Sequence, residues 1–334
     1  MQFGCFMFCE NITSLYKHYD ALLIDMYGVL WDGRNFFDSV LDLLVEIKSA
    51  GKNVIILSNT TLTLSKCYEK YQPKGLYKGT HFDAFVSSGE AFKCTLSKHI
   101  GGAKTYFSAF SHNVDIFEGS PLEQTDEIEK ADFVYVGNLN SQKIYFADEL
   151  QRKDGNLIPM ENLTSLDYHD ITGFEEIAET LDKCLMHRKK LVVVNPDIFA
   201  IEVIVNHGLS QQRPVLCQGA IGELYENAGG EVIYFGKPYS AIFEFAKQYI
   251  PHGAKVAMVG DTLWTDILGG NIAGYDTILT LSGVVGRFIQ NNRLGNVSYD
   301  TIIDKCLRTI SPKMTHKSLD NYSQMPTHIV KQFA

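Results

Sequence analysis

The chain has 334 residues, of which 45% are hydrophobic and 21% are charged. This composition excludes a disordered chain, and the length predicts about two domains. Its 30 basic and 39 acidic side chains give a formal net charge of −9. That balance argues against sequence-independent binding of nucleic acid, because such binding depends on Lys and Arg neutralising phosphates.

The sequence shows no segment typical of membrane insertion or secretion. No apolar run reaches the roughly 18 residues that a transmembrane helix needs. The opening MQFGCFMFCE lacks both the basic start and the cleavage site of a signal peptide. The seven cysteines include no Cys-x-x-Cys pair, which argues against a disulfide framework or a zinc site. We therefore expect a cytoplasmic protein without a membrane partner.

The N-terminal part of the sequence alternates between predicted strands and helices. Short apolar runs predict buried strands, and apolar residues at helical spacing predict helices. In chain order these are a strand at 21–27, a helix over 40–47 that Gly51 ends, strands at 53–57 and 82–87, and a helix at 90–99. A strand–helix–strand unit implies a parallel sheet with helices on its faces.

The same alternation returns near the other end of the chain, and a separate block lies between. The late elements are strands at 232–235, 255–259 and 275–281 and a helix at 241–250, and the block has strands at 131–136 and 190–194 and a helix at 174–186. Far more chain separates Ser58 from Lys237 than the roughly 30 residues of a βαβ unit. We therefore predict an α/β fold with a doubly wound parallel sheet, formed by residues 1–104 and 214–334, and an inserted α/β cap domain at 105–213.

Polar residues stand at or just after the ends of four predicted strands, where open parallel sheets bind ligands. They are Asp25, Ser58 with Asn59, Lys237, and Asp261 with Asp266 five positions later. Clustered carboxylates suit a hard cation with oxygen ligands, most simply Mg²⁺. The lysine and the serine would face a substrate anion, together with exposed backbone amides.

Each of these residues also has a structural interpretation when it is taken alone. Asp25 fits a turn at a strand end, and Ser58 with Asn59 fits a helix N-cap. Lys237 fits a solvated loop, and Asp266 fits the start of a helix, where the dipole favours a carboxylate. The order and spacing of the whole set favour a functional site over these separate interpretations.

Four segments carry a resemblance to a known family. They are ALLIDMYGVLWDG at 21–33, VIILSNTT at 54–61, YFGKP at 234–238 and VGDTLWTDILGGNIAG at 259–274. In this order they resemble the four motifs of the haloacid dehalogenase-like hydrolase superfamily. The block inserted between the second and third motifs resembles that of class IIA, the group of nitrophenyl, phosphoglycolate and pyridoxal phosphatases. The triplet NPD at 195–197 and the run TLSG at 280–283 also occur in that class.

The resemblance implies a ligand, a cofactor and a role for each matching residue. It implies Mg²⁺, a small phosphorylated metabolite as substrate, and a homodimer as one arrangement found among relatives. Asp25 would be the nucleophile that becomes an aspartyl phosphate, and Lys237 would offset charge beside it. Mg²⁺ would be held by Asp25, the backbone carbonyl of Tyr27, Asp261 and Asp266. The substrate would be contacted by Ser58, Asn59 and Asp197, the last of which also fits a turn or an N-cap.

One position departs from the family's phosphatases. They have a second aspartate two residues after the first, which protonates the leaving group and activates water; here that residue is Tyr27. A phenol with a pKa near 10 can donate a proton but is a poor base near neutral pH. Asp32 is the next carboxylate along this segment. Three functions stay open: a slow or leaving-group-selective Mg²⁺-dependent phosphatase, a non-catalytic phosphate- or metabolite-binding protein, and a metal-independent hydrolase of the dehalogenase type.

Overall fold

The computed structural model describes residues 7–111, 115–139, 143–206, 209–291, 298–309, 319 and 321–334. The chain divides into two compact units. The core unit consists of Met1–Ser58, Leu64–Ser87 and Lys237–Ala334, and the inserted unit consists of Asn59–Thr63 and Ser88–Gly236. None of the helices in the described part of the chain is long and apolar enough to cross a membrane.

The core unit is built on a seven-stranded parallel sheet with the order β1-β14-β13-β12-β2-β3-β4. Its strands are β1 (Met7–Cys9), β2 (Ala21–Ile24), β3 (Asn53–Ser58), β4 (Ala84–Ser87), β12 (Val256–Gly260), β13 (Asp276–Thr280) and β14 (His328–Val330). The central strands read as continuous apolar runs because both faces of the sheet are covered, and every residue of β2 is buried.

The helices of the core unit are α1 (Val40–Ser49), α2 (Leu64–Tyr71), α6 (Ser240–Ala246), α7 (Leu268–Ile272), α8 (Val284–Asn291) and α9 (Tyr299–Thr309). Helix α1 shows how the sequence determines the buried face and the end of a helix. Val40, Leu43, Leu44 and Ile47 recur at helical spacing and form its buried face. The helix ends before Gly51, whose positive φ of 76° favours glycine.

The inserted unit contains a second parallel sheet, of five strands in the order β11-β8-β7-β5-β6. These strands are β5 (Thr105–Ala109), β6 (Glu123–Gln124), β7 (Phe133–Val136), β8 (Lys190–Val193) and β11 (Glu231–Tyr234). An antiparallel hairpin joins β9 (Phe199–Asn206) to β10 (Leu209–Leu216). The helices of this unit are α3 (Ser88–His99), α4 (Glu175–Met186) and α5 (Gln218–Asn227).

The predicted α/β class and large parallel sheet are confirmed, but one strand belongs to a different sheet than expected. The sequence grouped 232–235 with the strands of the core, whereas β11 pairs with β8 in the inserted unit. A period-two or apolar pattern predicts a strand but carries no information about its pairing partner. Lys237 therefore follows a strand of the inserted unit and not a strand of the sheet that carries Asp25.

The bounds of the two units also differ from the predicted domain bounds. The inserted unit takes in 88–104 and 214–236, which lie outside the predicted block at 105–213. Aromatic packing gives the reason for the first of these segments. Phe92 of α3 makes ring contacts with Phe117, Tyr135 and Phe235, all of the inserted unit.

Candidate active site

The candidate site of the core unit lies at the carboxyl ends of three adjacent strands. Asp25 follows β2, Ser58 ends β3 and Asp261 follows β12, and the sheet order places β2 between the other two. The backbone N–H of Asp25 donates to the Val259 carbonyl oxygen at 2.9 Å, which continues the β2–β12 ladder. The sheet itself therefore brings these three residues to one edge, because the carboxyl ends of parallel strands lie together.

Lys237 links two carboxylates inside the core unit. Its ammonium nitrogen lies 2.5 Å from Asp25 Oδ1 and 2.7 Å from Asp266 Oδ1, and it also donates to the Leu57 carbonyl oxygen at 3.1 Å. The three charged side chains are nearly inaccessible, with exposed fractions of 2% for Lys237, 8% for Asp25 and 0% for Asp266. A lysine this deeply buried is tolerated because all three of its N–H groups have acceptors.

Asp266 is fixed from its other oxygen by backbone and hydroxyl donors. Its Oδ2 accepts from the backbone N–H groups of Asp261 and Thr262, each at 3.1 Å, and from Thr262 Oγ1 at 2.9 Å. The residue lies in a single π-helical turn at Leu263–Ile267, which leads into α7. A side chain on Gly260 would place a Cβ 2.1 Å from Asp266 Cγ. Asp266 thus fixes the loop after β12 as well as adding charge.

Asp261 is enclosed by two glycines and a helix start. Its Oδ2 accepts from the backbone N–H of Val284, the first residue of α8, at 2.7 Å. A Cβ on Gly28 would lie 2.2 Å from this oxygen, and a Cβ on Gly283 would lie 1.8 Å from it. The glycine that ends the run TLSG therefore has a structural explanation, because any side chain at position 283 would overlap Asp261.

The carboxylate cluster is short of positive charge. Ligand atoms of Asp25, Asp261 and Asp266 lie within 4.8 Å of one another, and Lys237 is paired with two of these residues. Burial raises the pKa of Asp25 to about 7, against the attraction of Lys237, and Asp266 adds repulsion. Burial and repulsion from Asp266 also raise the pKa of Asp261 well above its usual range. A divalent cation would balance the two negative charges that Lys237 leaves, so the residues fit Mg²⁺.

Tyr27 is half-buried in the core unit and is bound by a lysine that the sequence analysis missed. Lys70 of α2 donates from Nζ to the Tyr27 hydroxyl oxygen at 2.7 Å. The same nitrogen lies 5.3 Å from the ring centroid, so it sits beyond the hydroxyl and not over the ring face. Nothing in the spacing of α2 points to this contact, because the two residues are 43 positions apart.

Asp32 has a structural role in the same segment. Its Oδ1 accepts from the backbone N–H groups of Arg34 at 2.7 Å and Asn35 at 2.6 Å. This is the pattern of an aspartate that closes a turn on its own backbone. The carboxylate is thus engaged in the turn.

Asn59 and Asp197 are brought together within the inserted unit, whereas the carboxylate cluster belongs to the core unit. Asn59 Nδ2 donates to Asp197 Oδ1 at 2.9 Å, and Ser88 Oγ donates to Asn59 Oδ1 at 3.3 Å. Asp197 thus contacts a residue of the second motif, and the sequence analysis had paired neither of them with Ser88.

Substitution of Gly283 by alanine tests the enclosure of Asp261. We expect Gly283→Ala to lower the free energy of unfolding of the core unit by about 1–3 kcal/mol, because the new Cβ overpacks the site. Both tryptophans, Trp31 and Trp264, lie in the core unit, so urea unfolding followed by tryptophan fluorescence reports on that unit. Asp38→Ala is the control, since Asp38 is an exposed residue of the same unit. If both variants have the same free energy of unfolding, the loop at Gly283 accommodates the added methyl group without loss of stability.

Comparisons with known proteins agree with the four motifs. A model described as haloacid dehalogenase-like hydrolase matches residues 22–120, and a related HAD-hydrolase-like model matches residues 234–295. These two matches contain all four motif segments apart from the first residue of the first. The chain is therefore similar to haloacid dehalogenase-like hydrolases in both of these segments.

The curated relatives include phosphatases of small molecules. Phosphoglycolate phosphatase 2 of Arabidopsis thaliana is 26% identical over 288 residues, which cover 83% of this chain and 88% of the relative. Glycerol-3-phosphate phosphatase of Gallus gallus is 26% identical over 280 residues, which cover 82% and 83%. These alignments extend across both the core unit and the inserted unit.

A solved structure shows the same fold over nearly the whole chain. A hydrolase of the haloacid dehalogenase-like family from Brucella suis 1330 superposes with a TM-score of 0.67 at 18% identity, covering 98% of this chain and 100% of that one. The likeness in fold therefore extends over residues of both the core unit and the inserted unit.

Proposed function

We propose that this protein is a Mg²⁺-dependent phosphatase that acts on a small phosphorylated metabolite through an aspartyl phosphate on Asp25. The observation that carries the proposal is the buried cluster of Asp25, Lys237, Asp261 and Asp266 at one edge of the core sheet. It combines a nucleophile, a cation beside the nucleophile and a set of oxygen ligands. The names of the curated relatives support a small phosphate ester as the substrate class.

The proposed reaction has two steps at Asp25. In the first, a carboxylate oxygen of Asp25 attacks phosphorus while the bond from phosphorus to the leaving oxygen breaks. In the second, water attacks the aspartyl phosphate, releases inorganic phosphate and restores the carboxylate. Both steps add negative charge near Lys237, whose ammonium stays protonated because the attraction of Asp25 and Asp266 outweighs burial and raises its pKa.

The remaining residues of the site bind and orient. Ser58, buried at the end of β3, would donate a hydrogen bond to a phosphoryl oxygen. Asp25, Asp261 and Asp266, with the Tyr27 carbonyl, would hold Mg²⁺. When bound, the ion supplies positive charge that offsets the charge of the phosphate group.

Proton transfer is the step in which this chain departs from its family. Tyr27 stands where the family has an acid–base aspartate, and the ammonium of Lys70 donates to its hydroxyl oxygen. Because an ammonium has no acceptor, the hydroxyl hydrogen of Tyr27 points to some other group than Lys70. Tyr27 is therefore arranged as a donor. We propose that Tyr27 is a poor proton donor for leaving groups that need a proton. Esters with acidic leaving groups, which depart without one, should therefore react faster than alkyl esters.

Phosphate release with and without Mg²⁺ tests the proposed function. We expect the purified protein to release phosphate from nitrophenyl phosphate with Mg²⁺ present and to stop when a chelator removes it. Stabilisation by phosphate or Mg²⁺ without turnover would instead favour a binding protein, an alternative to which the loss of the second aspartate also points. Turnover that survives the chelator would favour metal-independent chemistry.

The substitution Asp261→Asn tests the metal ligands without relying on activity. We expect it to weaken Mg²⁺ binding by at least about tenfold, because a neutral amide replaces a charged ligand. Isothermal titration calorimetry with Mg²⁺ measures the affinity. Asp38→Asn is the matched control, since Asp38 is an exposed aspartate of the core unit. Unchanged affinity in the Asp261→Asn protein would remove Asp261 from the set of ligands.

A further inference from the structure

The chain passes between the two units four times, after Ser58, Thr63, Ser87 and Gly236. Residues beside three of these crossings pack around one turn inside the inserted unit. This turn is Asn195, Pro196 and Asp197, closed by a hydrogen bond from the Asp197 backbone N–H to Asn195 Oδ1 at 3.0 Å. The first crossing segment, 59–63, is tied to the turn at its start, where Asn59 Nδ2 donates to Asp197 Oδ1 at 2.9 Å.

Ser88 and Gly236, which border two of the other crossings, pack against the same groups. Ser88, where α3 begins, donates from Oγ to Asn59 Oδ1 at 3.3 Å. Gly236 is the last residue before the chain returns to the core unit. A Cβ on Gly236 would lie 2.6 Å from Ser88 Oγ, 2.7 Å from Asn59 Oδ1 and 2.8 Å from Pro196 Cδ. We call Asn59, Ser88, Asp197 and Gly236 the linker cluster.

The linker cluster is covalently joined to residues of the candidate site. Ser58 precedes Asn59, and Lys237 follows Gly236. A peptide unit is planar and stiff, so the position of one residue constrains the position of the next. In the proposed function, Ser58 contacts the phosphate and Lys237 offsets negative charge beside the nucleophile Asp25. The groups that fix Asn59 and Gly236 therefore also restrict where Ser58 and Lys237 can lie.

We propose that Asp197 is a positioning residue, which acts on Ser58 and Lys237 through Asn59 and the rest of the linker cluster. This inference rests on the proposed function, and it replaces the substrate contact that the resemblance implied for Asp197. The role needs an acceptor oxygen for the Asn59 amide and not a negative charge. Asparagine at position 197 provides that oxygen in nearly the same shape, whereas alanine removes it.

The test compares two substitutions of Asp197 in the full chain. With nitrophenyl phosphate and Mg²⁺, we expect Asp197→Asn to stay near wild-type activity. Asp197→Ala should lose about 10²-fold in kcat/KM, the size of effect that a small misplacement of binding groups produces. It should also bind inorganic phosphate more weakly in calorimetry at a temperature well below its melting point. Asp154→Ala, at an exposed aspartate of the inserted unit, is the control and should match the wild type.

Asn59→Ala examines the same hydrogen bond from its other end and serves if Asp197→Ala fails to fold. The double variant should lose much less than the product of the two single losses, because both remove one contact. Equal losses in Asp197→Asn and Asp197→Ala would overturn the proposal and show that the charge of Asp197 matters. Unchanged phosphate affinity in Asp197→Ala would overturn it as well. Failure of the proposed function would show itself differently, as turnover that persists in Asp25→Asn.

Discussion

Replacing Asp25 by asparagine should abolish phosphate release, with a fall in kcat of about 10⁴-fold or more, since loss of a nucleophile removes the covalent route. The folded state should persist. Asparagine has nearly the same shape, its carbonyl oxygen can accept from Lys237, and Lys237 keeps its ion pair with Asp266. Removal of a carboxylate whose pKa is raised to about 7 by burial also relieves desolvation. Phosphate release and the melting temperature measure the two parts of this expectation.

Asp32→Asn is the matched control for Asp25→Asn. Asp32 lies in the same segment and accepts from the backbone N–H groups of its own turn, and asparagine keeps that acceptor. We expect its turnover to match the wild type. If Asp25→Asn retains turnover at the wild-type rate, the phosphoryl group is not carried on Asp25 and the proposed mechanism fails. A large loss in Asp32→Asn would instead place the missing proton transfer on Asp32.

Tyr27→Asp should raise the turnover of alkyl and sugar phosphates by about 10²-fold, the lower end of the range for positioned acid–base catalysis. A carboxylate can give a proton to the leaving group and take one from the attacking water, whereas a neutral phenol is a poor base near neutral pH. Nitrophenyl phosphate should gain less in the first step, because nitrophenolate leaves without a proton. Steady-state rates on a sugar phosphate and on nitrophenyl phosphate measure the difference.

Tyr27→Phe is the complementary variant. It keeps the ring and removes the hydroxyl that accepts from Lys70. If the phenol supplies the proton, its loss should slow sugar phosphates more than nitrophenyl phosphate. Equal rates for the wild type, Tyr27→Phe and Tyr27→Asp on both substrates would contradict a role for this position in proton transfer.

The parts of the fold that the sequence predicts are those with a strong local pattern. The run ALLI at β2 and the apolar spacing of α1 each mark their element, because burial demands apolar residues at those positions. The three-residue strand β14 has no such pattern, and it lies in a polar stretch from which we predicted nothing. Its place between β1 and β13 depends on pairing partners far away along the chain.

The candidate site divides in the same way. The sequence predicts Asp25, Ser58 and Asp261 because each lies in a motif at the point where a strand ends. A parallel sheet places such strand ends side by side. The contacts of Asn59 with Asp197 and of Tyr27 with Lys70 join residues 138 and 43 positions apart. Neither residue spacing nor composition predicts such contacts, because they depend on how distant segments of the chain pack.

The placement of β14 bears on the order in which the protein can form during synthesis. The sheet of the core unit takes β2, β3 and β4 from the start of the chain and β12, β13 and β14 from its far end. A ribosome therefore makes the whole inserted unit, through Gly236, before β2 can meet its neighbour β12. Domains generally fold as units while the chain emerges, so the inserted unit can mature first. Until residue 330 has left the exit tunnel, the strands made first lack part of their sheet. Their apolar residues are therefore accessible to chaperones for longer than those of the later strands.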